Sequence, residues 1–315
     1  MVGSAAVTMD EFSPTLDLIM HGAVDMHVHF GPDVRPENLA LARRLDALET
    51  VHDAEKAGMA AIVLKAHYWP TAGLARVLQP LVPNLHVFGM TVLNYQEGDV
   101  LNPFHAEVAA RLGCRIVMGP TTHSRSDVEA ARRAGAATVF GARSDQEGIS
   151  LIDERGKMVR PMQEILDLAQ QFNQVVATGH VRRPEDRVLV EEANRRGLRT
   201  ILSHLHPDRA LVDERKWMLD HGAVVEWGWN AIGTLWGEPD VDFRELIDEA
   251  RSFGVDRCCM TTDSGQILLP PPSESFREFA GRLIVMGMDP AEVRTMAQQV
   301  PAELLGLGPE PTAAN

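Results

Sequence analysis

The chain has few cysteines, few lysines and no long apolar run, and each shortage excludes a class of protein. Its three cysteines, two of them adjacent, cannot form a disulfide framework, and no Cys-x-x-Cys pair is available for a zinc knuckle. No apolar stretch approaches the ~18 residues of a transmembrane helix. The N-terminus has no basic start followed by an apolar core, so no signal peptide is expected. We therefore expect a cytoplasmic protein with reduced thiols.

The charge of the chain narrows the range of partners. The 30 basic residues face 44 acidic residues, which gives a net charge of −14 at pH 7. Such a charge repels nucleic acid and anionic membranes, so neither is expected as a partner, and a small molecule is the expected ligand. Hydrophobic residues make up 45% of the 315 positions, as in ordinary globular proteins.

Short apolar runs alternate with longer helical patterns along the whole chain. The eight runs cover residues 23–30, 60–66, 85–93, 115–118, 175–179, 200–203, 223–228 and 257–262. Helices are predicted between them, at 36–57, 126–134, 184–196, 208–221 and 242–253, several followed by a glycine suited to a helix C-cap. Eight such units predict a (β/α)8 barrel, and we expect residues 1–315 to form one such domain.

Two alternatives to this simple barrel remain at the sequence level. A doubly wound open sheet would usually show a Gly-x-Gly-x-x-Gly loop after the first strand, and residues 27–32 have none. A ninth apolar run at 137–142 is followed by a candidate hairpin that turns at Arg155 and Gly156. We interpret this stretch as an excursion after the fourth strand, although run 137–142 could instead be a barrel strand.

Side chains of types that can bind metals lie at the ends of the apolar runs. Because active sites of barrel enzymes lie at the carboxyl ends of the strands, these positions are expected to share one site. His27 and His29 are two residues apart on one strand, so both can face inward and chelate one cation. Asp263 adds a carboxylate from the last strand, next to the first. The remaining histidines at strand ends, His180 and His204, can hold a second metal.

Lys65 is an unusual member of this set. It is one of only four lysines, and it ends the apolar run 60–64, whereas the other three lie in polar surroundings. A buried ammonium group is costly, and burial lowers its pKa. The neutral amine can react with carbon dioxide to form a carbamate, whose two oxygens can bridge two cations. A snorkelling or ion-paired lysine is the alternative for this residue taken alone.

Taken in chain order, His-x-His, Lys, His, His and Asp at separate strand ends resemble the amidohydrolase superfamily of metal-dependent hydrolases. The similarity extends from Ala23 to about Gly306, and residues 300–306 resemble the family's Asn-Pro-Ala-x-x-Leu-Gly ending, with Val300 in place of Asn. Only 26 residues precede His27, so the chain is similar to the phosphotriesterase-like branch, which lacks an N-terminal β-sandwich.

The resemblance implies a role for each ligand. It implies that His27, His29 and Asp263 bind a buried metal, that His180 and His204 bind a more exposed one, and that carboxylated Lys65 bridges the two. Zinc is the expected metal, with manganese, iron and nickel as alternatives. Familiar members carry the bridging lysine on strand 4, whereas Lys65 lies on strand 2. His206 could replace His204, because both face the same way.

The expected reaction is hydrolysis of an amide, cyclic amide or lactone by a metal-bound hydroxide, with Asp263 as general base and then general acid. A mononuclear decarboxylase or a phosphoester hydrolase on the same scaffold is the alternative, and a single metal with a free Lys65 would favour the decarboxylase. A non-catalytic binding barrel would have lost one or more ligands, and none is missing. A homo-oligomer is expected from the resemblance alone.

Substrate contacts are expected in the loops that follow the strands. Both tyrosines and three of the five tryptophans of the chain fall in these loops, which suggests a pocket for a flat or apolar group. Packing of aromatic side chains beneath the loops is the alternative interpretation. The candidate substrate-binding residues are His67, Tyr68, Asn94, His123, His206 and Trp227.

Overall fold

Eight parallel strands form one sheet in the computed structural model, which describes residues 9–32, 42–95, 101–133, 147–203, 212–232 and 242–308. The strands pair in chain order. Beyond the last strand, Asp263 N–H donates to His27 O and His29 N–H donates to Ser264 O, both at 2.9 Å, which brings the two edges together. The strands are β1 Val24–His29, β2 Ala61–Lys65, β3 His86–Val92, β4 Ile116–Met118, β5 Val175–Ala177, β6 Thr200–Leu202, β7 Ala223–Gly228 and β8 Cys258–Thr261.

This nearly closed sheet with intervening helices is a (β/α)8 barrel, and it confirms the predicted fold class. Each observed strand lies within one of the eight predicted runs. The helices in the described segments are α1 Met9–Met20, α2 Ala47–Lys56, α3 Ala72–Leu78, α4 Pro103–Leu112, α5 Arg125–Arg133, α6 Arg160–Gln171, α7 Glu185–Arg195, α8 Val212–Asp220, α9 Trp229–Ile232, α10 Phe243–Phe253, α11 Pro272–Val285, α12 Pro290–Arg294 and α13 Val300–Leu305.

The predicted helix 36–57 begins too early. Its observed counterpart α2 starts at Ala47, residues 42–46 are not helical, and residues 33–41 lie outside the described residues. The reason is a capping box: the Asp46 carboxylate accepts from Glu49 N–H, and the Glu49 carboxylate accepts from Asp46 N–H. This pair satisfies the backbone N–H groups of Asp46 and Glu49 and fixes Asp46 as the N-cap of α2.

The excursion after β4 contains the predicted turn. Ile152 pairs antiparallel with Met158, Asp153 N–H donates to Lys157 O at 2.8 Å, and Gly156 has a φ of 72°. The left-handed backbone at Gly156 is easily adopted only by glycine, which is why this dipeptide marked the turn. The run 137–142 and the predicted cap Gly135 lie outside the described residues.

Apolar side chains fill the barrel below the strand ends and the layer between strands and helices. The interior cluster includes Met26, Val63, Met90 and Met118, and Leu305 of α13 packs against it. A second, larger cluster lies between the outer faces of the strands and the surrounding helices. The polar ligand residues therefore stand above an apolar floor, at the carboxyl ends of the strands.

Gly179 is required where the chain leaves β5. Its φ is 65°, and a Cβ atom there would lie 2.4 Å from Gly119 O, so an alanine is both strained and crowded. We expect Gly179→Ala to lower the free energy of unfolding by about 3 kcal/mol or more, because backbone must move. Denaturant unfolding measures this loss.

Gly197 provides the matched control for this substitution. Its φ is 67°, and nothing lies within 4 Å of its ideal Cβ position. Gly197→Ala should therefore cost only about 1 kcal/mol, the price of the left-handed backbone. Equal losses in the two variants would show that the close approach of Gly179 to Gly119 is not a constraint.

Candidate metal centre

Three candidate ligand side chains converge at the mouth of the barrel. Nε2 of His27 and Nε2 of His29 each lie 3.0 Å from the same oxygen, Oδ1 of Asp263. The three ligand atoms are all within 4.8 Å of one another. Both histidines are almost completely buried, and Asp263 is half-buried. Two imidazoles and a carboxylate that point at one spot form a partial coordination sphere for a transition metal.

The backbone of β1 and the turn after β8 hold this arrangement. His27 and His29 are two residues apart on β1, so both face the interior. Asp263 adopts a left-handed φ of 51°, which is uncommon for a residue with a side chain. Its N–H donates to His27 O, and Asn230 Nδ2 lies 3.4 Å from its second oxygen, Oδ2. The strained turn therefore orients Oδ1 towards the two imidazoles.

Glu226 on β7 orients His27 from the opposite side. Its Oε1 lies 3.1 Å from Nδ1 of His27, and both groups are buried. A carboxylate on Nδ1 leaves Nε2 as the ligand atom and makes the imidazole more basic, as outer partners of metal-bound histidines do. Glu226 was not predicted from the sequence as a site residue. The feature of the sequence that could have indicated it is a single carboxylate inside the apolar run 223–228.

Asp25 is a second buried carboxylate that was not predicted as a site residue. It accepts from His27 N–H at 3.1 Å, from Thr262 N–H at 3.1 Å and from Thr262 Oγ1 at 2.6 Å. Burial raises the pKa of Asp25 to about 7, although these hydrogen bonds act in the opposite direction. Asp25 thus ties β1 to the end of β8 directly beneath the ligands.

Lys65 lies against the ligand cluster. Its side chain is 2% exposed, and its Nζ is 2.6 Å from Nε2 of His27. The structure thus brings Lys65 from the end of β2 to the ligands of β1 and β8, as its position in the sequence predicted.

The two ligand histidines experience different electrostatic environments. Burial, followed by the positive charge of Arg43, holds the pKa of His29 well below its usual range, so its imidazole is neutral and available as a ligand. Burial and Lys65 also lower the pKa of His27, but the carboxylates of Asp263 and Glu226 outweigh them and raise it. The negative charge of these carboxylates favours a cation at this position.

His180 follows β5, as predicted, but its side chain contacts Asp127 and is not part of the cluster of His27, His29 and Asp263. Its Nδ1 lies 2.5 Å from Oδ2 of Asp127 on α5, a partner that was not predicted from the sequence. Among the described residues, the cluster of three mutually close ligands contains His27, His29 and Asp263, without His180. His204 and His206, the alternatives for the second metal, lie outside the described residues.

The loops after β2 and β4 bring three of the candidate substrate-binding residues together. His67 stacks on His29 with ring centroids 4.8 Å apart, and Tyr68 meets His123 edge to face at 5.4 Å. Burial, followed by the positive charges of Lys65 and Arg43, holds the pKa of His67 well below its usual range. These rings therefore form one wall of neutral histidines and tyrosine beside the ligand cluster.

Asn94 connects the loops behind this wall. Its Nδ2 donates to His67 O and to Thr121 Oγ1, and its Oδ1 accepts from Thr121 N–H at 2.9 Å. The Oδ1 atom also lies 3.4 Å from His123 N. These bonds give Asn94 a clear role in positioning the two histidine loops, and contact with substrate stays a prediction.

Trp227 is placed away from the ligands. Glu226 faces His27, so its neighbour on β7 points to the opposite face of the strand. Trp227 is 2% exposed and packs in the apolar layer outside the barrel. This placement agrees with the alternative of ordinary core packing for Trp227, and contact with substrate stays a prediction.

Glu226→Gln tests the role of the outer carboxylate. Loss of this charge should weaken zinc binding by about 10- to 100-fold, the usual effect of removing an outer partner of a metal-bound histidine. A competitive titration with a fluorescent zinc chelator measures the affinity. Glu278→Gln, on the exposed surface of α11, should leave it unchanged. An unaltered affinity in Glu226→Gln would show that Glu226 does not act on the metal site.

Solved structures with the same fold are numerous, and three illustrate their range. An amidohydrolase from Pseudomonas aeruginosa superposes with a TM-score of 0.62 at 13% identity, covering 93% of this chain and 98% of its own. A protein from Pseudomonas putida named as a candidate 2-pyrone-4,6-dicarboxylic acid hydrolase superposes with a TM-score of 0.57 at 18% identity. The match covers 92% of this chain and 99% of that protein. A 2,6-dihydroxybenzoate decarboxylase superposes with a TM-score of 0.51 at 12% identity. The match covers 91% of this chain and 100% of the decarboxylase.

These solved structures share the (β/α)8 fold of this chain, which is the fold that the sequence resemblance implied. Residues 22–226 match the family described as "Family of unknown function (DUF6282)", and the chain belongs to that family. The matched region contains His27, His29, Lys65 and Glu226 and ends before Asp263. Among curated proteins, no relative matches the chain.

Proposed function

We propose that this protein is a metal-dependent hydrolase that cleaves an amide, a cyclic amide or a lactone of a small molecule. The observation that carries the proposal is the convergence of His27 Nε2, His29 Nε2 and Asp263 Oδ1 at the carboxyl ends of β1 and β8. Active sites of (β/α)8 enzymes occupy this end of the barrel.

The residues present fit a divalent metal ion. The three candidate ligand atoms lie within 4.8 Å of one another, and the low pKa of His29 leaves its ring neutral, the form that binds a metal. The donor set of two nitrogens and one carboxylate oxygen suits zinc best, with manganese, iron or nickel as alternatives. When bound, such an ion lowers the pKa of water and polarises a carbonyl group.

Each side chain has a defined task in this proposal. Asp263 accepts the proton of the attacking water at a carboxylate oxygen and returns it to the leaving nitrogen or oxygen. Asn230 holds Oδ2 of that carboxylate, and Glu226 holds the His27 ring so that its Nε2 faces the centre. His67 and Tyr68 form the wall against which the substrate rests.

A bridged pair of metals is the finer part of the proposal. The neutral Nζ of Lys65 would form a bond to the carbon of carbon dioxide, the displaced proton would leave to solvent, and the resulting carbamate would bear one negative charge. The support is the position of Nζ, buried and 2.6 Å from a ligand nitrogen. His180 and His204 would hold the second ion, with His206 as the alternative to His204.

A decarboxylase is the second candidate. It is favoured by the single three-ligand cluster in the described segments, because one metal beside an uncarboxylated Lys65 suits decarboxylation better than a bridged pair. A 2,6-dihydroxybenzoate decarboxylase also has this fold. In that case Lys65 would serve as an acid or as a contact for the substrate carboxylate.

One comparative assay separates the two candidates. Zinc- and manganese-loaded protein would be offered a panel of amides, cyclic imides and lactones, and in parallel a panel of hydroxybenzoates. Acid release from the first panel supports the hydrolase, whereas carbon dioxide release from the second supports the decarboxylase. Inactivity on the first panel with activity on the second would overturn the main proposal.

We also propose that the protein acts in the cytoplasm on a small molecule, without a nucleic-acid or membrane partner and as a homo-oligomer. The acidic net charge supports the absence of polyanionic partners. None of the helices in the described part of the chain combines the length and the apolar character that a membrane span requires.

A further inference from the structure

His123 stands in the loop between β4 and α5, where the sequence shows no metal ligand. The ring is almost completely buried, at 4% exposure of the residue, and Tyr95 and Tyr68 flank it with ring centroids 4.8 and 5.4 Å away. The loop backbone is fixed because Ser124 N–H donates to Thr121 O and Ile149 N–H donates to His123 O, both at 2.7 Å. His123 is therefore a rigid group.

A backbone hydrogen bond sets the tautomer of this ring. Tyr95 N–H lies 3.2 Å from Nδ1 of His123, and an amide N–H can only donate. Nδ1 must therefore be the unprotonated acceptor, so the neutral ring carries its proton on Nε2. Burial lowers the pKa of His123 to about 4, so the ring is neutral at pH 7.

The Nε2–H group of His123 is a donor without a partner among the described residues. Its ring makes no hydrogen bond there besides the one to Tyr95, and Nε2 is not one of the polar atoms sealed inside the protein. The donor therefore keeps a small exposure to solvent. An oriented neutral donor on a rigid, mostly buried ring is well suited to an oxygen atom of a bound molecule.

Ring contacts connect this donor to the metal ligands. His67 stacks on His29, Tyr68 follows His67 with ring centroids 6.4 Å apart, and Tyr68 contacts His123. Asn94 links the backbones of the same two histidine loops through its amide. A chain of ring contacts therefore connects His123 to the candidate ligand cluster.

We propose that His123 is a substrate-binding residue that donates its Nε2–H to a carbonyl oxygen of a planar ring substrate resting against Tyr68. This inference rests on the proposed function and specifies its substrate class as flat cyclic compounds, such as unsaturated or aromatic lactones and cyclic amides. The rings of Tyr68 and Tyr95 supply apolar contact, and the His123 donor sets the orientation of the substrate in its plane.

Two substitutions separate the donor from the structural role of the ring. His123→Asn places an oxygen near the position of Nδ1, where it can accept from Tyr95 N–H, but removes the donor at Nε2. His123→Gln places an amide N–H near the position of Nε2. If the donor matters, kcat/KM should fall by about 10-fold or more in His123→Asn, the value of one oriented hydrogen bond, and by less in His123→Gln.

The first measurement uses nitrogen-15 NMR of the zinc-loaded full chain. The ring signals of His123 are assigned because they disappear from the spectrum of His123→Asn. The second follows hydrolysis of dihydrocoumarin by the wild type and both variants. We expect an Nε2–H tautomer at pH 7 and a shift of the Nε2 signal when 2-pyridone is added as an unreactive probe. We expect kcat/KM to be highest in the wild type, lower in His123→Gln and lowest in His123→Asn. Unchanged melting temperatures would show that the variants fold.

Contrary outcomes are distinct for the inference and for the proposed function. An Nδ1–H tautomer, no response to 2-pyridone, or wild-type kcat/KM in His123→Asn would overturn the role of His123 while leaving hydrolysis intact. If the wild type hydrolyses no lactone or amide, the proposed function fails, and the NMR response to 2-pyridone alone decides whether His123 binds a planar carbonyl compound.

Discussion

Replacing Asp263 with asparagine is expected to lower the kcat of amide or lactone hydrolysis by about 1,000-fold or more. The Asp263 carboxylate faces both His27 and His29 through Oδ1, so it is expected to serve as a metal ligand and as the acceptor of the proton from water. An amide can do neither well, because it is uncharged and far less basic. Steady-state kinetics on the best substrate of the lactone and amide panel measure the effect.

A second aspartate supplies the control for this substitution. Asp256 is exposed and precedes β8, at the opposite end of the barrel from the ligands. Asp256→Asn should retain wild-type kinetics within about two-fold, as surface changes remote from a site usually do. Activity above about one tenth of the wild-type value in Asp263→Asn would remove Asp263 from the chemistry.

Lys65→Met is expected to have the second largest effect. Methionine fills the buried volume without an amine, so it can form neither a carbamate nor an ion pair. We expect the metal content to fall from about two ions per chain to about one or none, and hydrolysis to fall by about 100-fold or more. Elemental mass spectrometry counts the metals, and carbon-13 NMR of protein equilibrated with labelled carbon dioxide detects the carbamate directly.

Lys56 is the matched control for Lys65. It lies exposed in the last turn of α2, so Lys56→Met should change neither the metal content nor the carbon-13 signal. An unchanged metal content in Lys65→Met, together with no carbamate signal in the wild type, would contradict the bridged pair of metals. Lys65 would then be a free amine, and the decarboxylase would become the better candidate.

The barrel could be predicted from the sequence because its strands are buried on both faces. Each strand is therefore a short continuous apolar run, and the eight observed strands all fall within predicted runs. The start of α2 was missed because the helical pattern continues upstream of Ala47. The local capping box of Asp46 and Glu49, rather than the apolar pattern, sets its first residue.

The partners of the ligand histidines could not be assigned from sequence, because they depend on packing across the barrel. Glu226 reaches His27 from a strand 199 positions away, and Asp127 reaches His180 from a helix 53 positions earlier. Once Glu226 is known to face inward, the alternation of the strand places Trp227 outside. Its aromatic character alone could not distinguish a pocket from the core.

The central claim is that His27, His29 and Asp263 form a metal site, and a metal count tests it most directly. Protein purified without chelator, then supplied with zinc and freed of excess, would be analysed by elemental mass spectrometry beside His29→Ala and the surface control His52→Ala. We predict at least one tightly held ion per chain in the wild type and in the control, and a loss of at least one ion per chain in His29→Ala. A wild type that holds no zinc or manganese, or a His29→Ala variant that holds as much as the wild type, would contradict the account.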